Sequence, residues 1–174
     1  MGSFWVYLTL GVIVSLMALG GVAVNNALEA VKLKPQEEDK PLLIHMHVTL
    51  KIIINNEGVT VPKEVGIDPG LYKTHDLDKY VPKKLGVYPL HTHDTSGVIH
   101  IESTVIRTFT LGQFFDVWGE TFNENCVMNK CNDQLNKVRM YVDGSESFEF
   151  RDHVFKDREV IIIEYGSPKD QQQV

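Results

Sequence analysis

Five of the seven histidines, His45, His47, His91, His93 and His100, fall in two short segments of the chain. Neutral imidazole is a nitrogen donor that suits zinc, copper, iron and nickel, so two H-x-H pairs and a fifth ring point to a transition-metal site. Parity carries the reading further, because residues i and i+2 of a strand share a face. Between residues 44 and 54 the even positions Ile44, Met46, Val48, Leu50, Ile52 and Ile54 are all apolar. His45, His47, Thr49 and Lys51 therefore project from the opposite, polar face. A hairpin turning over Asp94 to Gly97 pairs His93 with Val98 and sets His91 opposite His100. Cross-strand Cβ atoms lie about 4.5–5.5 Å apart, close enough for two imidazoles to share one ion. Ile99 and Ile101 then face the core, and His100 and Glu102 face away from it. Where the two segments are neighbours, all five rings converge, with Asp94 and Glu102 as further ligands or as acceptors behind the imidazoles.

A donor set without thiolate or thioether does not select strongly among these metals. Copper leads because it heads the divalent affinity order, and zinc with three or four histidines is the alternative. The bland alternative is a solvated polar face without an ion. His75, in a loop, and His153, beside Asp152, read as surface residues. A cupredoxin-type copper site needs a Cys shortly before a His, and neither Cys126 nor Cys131 has one. The chain also lacks a C-x-x-C-H haem motif, a G-x-S-x-G elbow and a phosphate loop, so classical covalent hydrolysis has no candidate.

The elements that must position these rings are strands. A hairpin is expected over residues 42–61, turning at Asn55-Asn56-Glu57-Gly58. Residues 65–86 read as a long surface loop. A second hairpin covers 87–103, and its pattern continues through Phe109. Thr110-Leu111-Gly112-Gln113 has capping-box spacing, and Leu111, Phe114, Phe115 and Trp118 follow at helical spacing before Gly119. Those aromatics are expected in the core, with a partner-docking face as the other reading. Further strands are expected at 138–142, 147–150 and 160–165, with Asp143-Gly144 as a turn. The fold class is mainly β, an antiparallel sandwich or partly open barrel with one short helix, preceded by one N-terminal transmembrane helix.

The chain has 174 residues and a net charge of −6, without a basic stripe carrying interleaved aromatics, so nucleic acid is not an expected partner. Phe4 to Val24 contains no charged residue, and 21 such residues in a helix cross a hydrocarbon core of roughly 30 Å. Residues 1–25 therefore read as a membrane anchor, with a cleaved signal as the alternative, since no Lys or Arg precedes Lys32. Residues 26–41 form a charged stem, 42–166 the folded domain and 167–174 a polar tail. Lys32 and Lys34 after the span favour a cytoplasmic domain on a strict positive-inside reading, but large domains translocate largely regardless of charge. Cys126 and Cys131, the two cysteines, lie in an Asn-rich segment and fit a local disulfide, with two free thiols as the alternative. An extracytoplasmic location at the cell membrane is the expectation.

The run Leu90-His91-Thr92-His93-Asp94-Thr95-Ser96-Gly97-Val98-Ile99-His100-Ile101-Glu102-Ser103, followed by Phe109-Thr110-Leu111-Gly112-Gln113-Phe114-Phe115-Asp116-Val117-Trp118-Gly119, resembles an uncharacterised family of secreted or membrane-anchored prokaryotic proteins. His45 and His47 match that family's leading H-x-H-x-H segment, and Thr49 stands where it has a third His. The resemblance covers roughly residues 42–119. It implies an extracytoplasmic setting of the kind found in ammonia-oxidising archaea, whose copper enzymes sit on the outer face of the membrane. Three functions are expected to compete. One is a copper-binding module that stores or delivers the ion or serves as an accessory subunit of a membrane copper enzyme. The others are a cupin-like metalloenzyme and a structural subunit of a membrane complex without metal.

Overall fold

The structure is a computed structural model and describes residues 40–81 and 86–167. The expected membrane anchor, the stem up to residue 39 and the tail beyond Ser167 lie outside the described residues. Among the described residues no helix is long and apolar enough to cross a membrane.

The chain forms β1 (Ile44–Ile54), β2 (Glu57–Val59), β3 (Leu90–His91), β4 (Val98–Ser103), one helix α1 (Leu111–Trp118), then β5 (Cys126–Val127), β6 (Lys130–Cys131), β7 (Lys137–Val142), β8 (Ser145–Ser147) and β9 (Val160–Gly166). Seven strands make one sheet in the order β3-β4-β1-β9-β7-β8, with β2 also on β1, and β5 and β6 make a separate ribbon. The sheet is mixed rather than antiparallel, because β1 and β9 run parallel from Thr49↔Val160 to Ile54↔Tyr165. The path begins at β3 and ends at β8 with no pairing between them, so the described strands do not close into a complete barrel.

Alternation in β1 works as the sequence implies. Val48, Leu50 and Ile52 are buried, and His45 and Lys51 are exposed. The turn into β2 is tighter than expected. Asn55 and Asn56 both take positive φ, 51° and 67°, and Ile54 pairs with Glu57, the arrangement of a two-residue hairpin whose twist matches its strands. Asp143 and Gly144, at φ 49° and 80°, repeat it between β7 and β8. The strand expected at 147–150 is instead β8, followed by a 3-10 turn at Phe150–Asp152.

Two segments depart further from expectation. The described part of the loop expected at 65–86, residues 65–81, is a packed strap, with Val65, Leu77 and Val81 buried and 3-10 turns at Pro69–Leu71 and Asp78–Tyr80. Residues 105–109 form no strand, and Ile106 is exposed beside buried Phe109. His153 is buried, not superficial: Nδ1 lies 2.7 Å from Glu149 Oε2 and Nε2 lies 3.0 Å from Glu159 Oε1. No local pattern in the sequence reveals that Glu149 and Glu159 enclose it. His75 is exposed, as expected, and it pairs with Asp78.

Helix α1 carries the full capping box: the Gln113 N–H donates to Thr110 Oγ1 and the Thr110 N–H donates to Gln113 Oε1. Gly119 closes it at φ 87°. Phe114, Phe115 and Trp118 are buried, which places these aromatics in the core and removes them as a docking face. The helix packs on β3 and on the Phe150–Asp152 turn, so it backs the strand that carries His91. Cys126 and Cys131, directly opposite each other in the β5–β6 ribbon, form a disulfide.

Gly97 closes the turn between His93 and β4. Its φ is 82°, its carbonyl accepts the Leu50 N–H at 2.8 Å, and a Cβ there would sit 2.3 Å from Leu50 O. The strain and the backbone clash make Gly97→Ala destabilising by roughly 2–3 kcal/mol, read as a lower urea midpoint with unchanged slope. A neutral midpoint would show that the turn has room to shift.

Candidate metal centre

The backbone pairing brings both histidine segments onto one patch of the sheet. Strand β4 lies between β3 and β1, so His100 faces His91 on one side and His47 on the other. His45 falls opposite Glu102. The His47 N–H and C=O are turned toward the opposite edge, the N–H onto Asp157 Oδ1 and the C=O onto the Arg158 N–H. His47↔His100 is therefore a non-hydrogen-bonded pair, the closer of the two antiparallel pair types. The rings follow this geometry. His47 and His100 stand 4.5 Å apart edge to face, whereas His91 and His100, in the wider pair, are 5.4 Å apart and nearly parallel.

The ligand nitrogens fall into two triplets, His45/His47/His100 and His91/His93/His100, each with all members within 4.8 Å of one another. Ring centroids are 4.9 Å apart for His45–His47, 4.8 Å for His91–His93 and 4.5 Å for His93–His100. The second triplet is the better held. His91 is 1% exposed, and its Nδ1 lies 2.7 Å from the Tyr88 carbonyl. A carbonyl only accepts, so Nδ1 carries the proton and the neutral ring keeps a lone pair on Nε2. That Nε2 lies 3.2 Å from His93 Nε2. A hydrogen bond donated by the far ring N–H to a backbone carbonyl is the usual way a metal-binding histidine is oriented.

Burial and neighbouring imidazoles keep His91 and His100 neutral. Burial, and then the neighbouring imidazoles His93, His100 and His45, push His91 down to about 4, against the raising effect of the Tyr88 carbonyl. Burial followed by His93, His47 and His45 pushes His100 down to about 4, opposed by Asp94. Neutral imidazole is the form that binds a metal.

The two expected carboxylates behave differently. Glu102 Oε1 lies 3.6 Å from His45 Nε2, behind the first triplet. Asp94 Oδ1 accepts the Ser96 N–H at 2.8 Å and so shapes the turn. Hydrogen bonds from Ser96, with help from His100 and His93, hold the Asp94 carboxyl below the usual range. Two contributors escaped the sequence reading. One is the Tyr88 carbonyl. The other is Thr92, whose Oγ1 donates to Pro62 O at 2.8 Å and accepts the Val65 N–H at 3.1 Å, clamping the H-x-H segment to the strap. The i, i+3 spacing of Tyr88 and His91 allows the first contact, but only the fold creates the second.

An all-imidazole constellation of this kind suits divalent zinc or copper and not calcium or magnesium, which take oxygen ligands. Comparison of the chain with family models, with curated proteins and with solved structures gives no match.

Proposed function

We propose that this chain is a membrane-anchored, extracytoplasmic metal-binding protein that holds copper, with zinc as the competing ion, on His91, His93 and His100. It stores or delivers the ion, or serves as an accessory subunit of a membrane copper enzyme. The observation that carries this reading is the fixed tautomer of His91: a buried ring whose proton is committed to the Tyr88 carbonyl offers its lone pair toward His93. A merely solvated histidine face needs neither the burial nor the carbonyl. The apolar segment at residues 4–24 supplies the anchor, and the Cys126–Cys131 disulfide is in keeping with an oxidising compartment. The parallel β1–β9 pair differs from the antiparallel double sheet of a cupin-like jelly roll, so the fold lends that alternative no support.

The test is titration of the untagged full-length chain in detergent with copper(II) and with zinc, beside His93→Ala. Sub-micromolar, stoichiometric binding that weakens at least tenfold in the variant supports the reading. Absence of binding to either ion sinks it, and a metal-free structural subunit then becomes the leading account.

A further inference from the structure

His100 belongs to both nitrogen triplets, and one ion cannot serve both. Donors on a single zinc- or copper-sized ion sit about 2.0–2.1 Å from it, so any two lie at most about 4.2 Å apart. Among the described residues the ligand nitrogens group as these two triplets, not as one set of five. The rings divide around His100, with His47 edge to face on the β1 side and His93 edge to face on the other, each centroid 4.5 Å away. An imidazole carries two nitrogens directed outward from different edges of its ring.

We propose that the sheet face holds two transition-metal ions with His100 between them, one ring nitrogen to each. The second ion is held by His45, His47 and His100, beside the ion on His91, His93 and His100, so this inference rests on the metal-binding reading above. Bridging requires both ring nitrogens of His100 as donors, and its remaining N–H proton passes to solvent as the second ion enters. The distribution of negative charge fits two cations better than one. Glu102 stands at the His45 end, 3.6 Å from Nε2, and Asp94 interacts electrostatically with His93 and His100 at the other. Each triplet thus has a carboxylate beside it, Glu102 at His45 and Asp94 next to His93 in the chain, which offsets the repulsion between two dications. The two ions also differ in access. His45 is exposed, whereas His91 is buried, so the His45/His47 ion exchanges with solvent first.

The experiment is copper(II) loading of the untagged full-length chain in detergent, desalting, metal analysis, and electron paramagnetic resonance with spin integration. Wild type is expected to retain two coppers per chain with an integrated signal well below two spins, because a shared imidazolate couples the unpaired electrons antiferromagnetically. His45→Gln/His47→Gln is expected to retain one copper with one full spin. Both substituted side chains project from the outward face of β1, and circular dichroism of the variant checks its fold. One copper in wild type, removed by His93→Ala, overturns the second ion and leaves the metal-binding reading intact. Two coppers giving two full spins overturn the sharing of His100. No retained copper overturns this inference and the reading beneath it.

Discussion

His100→Ala lowers copper(II) affinity more than any other single histidine substitution, by about 100-fold or more. The magnitude is scaled from four-coordinate structural zinc sites, where a binding energy of about 10–16 kcal/mol divided among four donors gives about 3 kcal/mol for each and a factor of about 100 in affinity. His91, His93, His45 and His47 each belong to one nitrogen triplet, but His100 belongs to both, so its loss leaves only pairs of donors on either side. The side chain is half-buried on the outward face of β4, where Ile99 and Ile101 hold the core, so its truncation spares the fold. Competition against a chelator of known affinity measures the change. His75→Ala is the matched control, because His75 is exposed, pairs with Asp78 and belongs to neither triplet. An affinity for His100→Ala equal to that of His75→Ala would show that the ion, if bound, sits elsewhere.

Much of this site was legible because a strand's side-chain period is two. Alternation in residues 44–54 and 98–103 is strong enough to assign every histidine there to the polar face, and the Asp94–Gly97 turn sets His91 opposite His100, the pairing the sheet contains. What the sequence does not encode locally is which strand lies beside which. The pairing of β1 with β4, which turns two histidine pairs into one patch, spans some fifty residues of chain, and the parallel β1–β9 pairing spans more than a hundred. Neither pairing leaves a local trace, which is why an antiparallel sheet was the natural expectation. The capping box at Thr110 and Gln113 was legible for the opposite reason, since all its partners lie within four residues. His153 marks the limit: its flanking residues resemble a surface turn, and the carboxylates that enclose it come from Glu149 and Glu159 only after the chain folds back.

Phe115→Ala lowers the stability of the folded domain by about 3–5 kcal/mol, the range for a truncated buried aromatic. The ring is fully buried and stacks on Phe122 with centroids 4.6 Å apart at 25°, while Trp118 lies 5.7 Å away, so truncation removes an aromatic pair as well as leaving a void. Against a total stability of about 5–15 kcal/mol, such a loss lowers Tm by about 10 °C or more, read by circular dichroism on the apo chain. The same substitution separates the two roles in this molecule. Helix α1 backs β3 through packing and contributes no nitrogen to the cluster, so folded Phe115→Ala keeps its copper affinity within a few-fold of wild type. Because copper binds only the folded state's assembled nitrogens, excess ion recovers part of the lost Tm, about 2.7 kcal/mol in stability at a free concentration one hundred times Kd. His100→Ala behaves in the reverse way, with apo Tm preserved and copper-dependent stabilisation lost. If Phe115→Ala left Tm unchanged, the aromatic face would not be core, and a partner-docking role for Phe114, Phe115 and Trp118 would have to replace it.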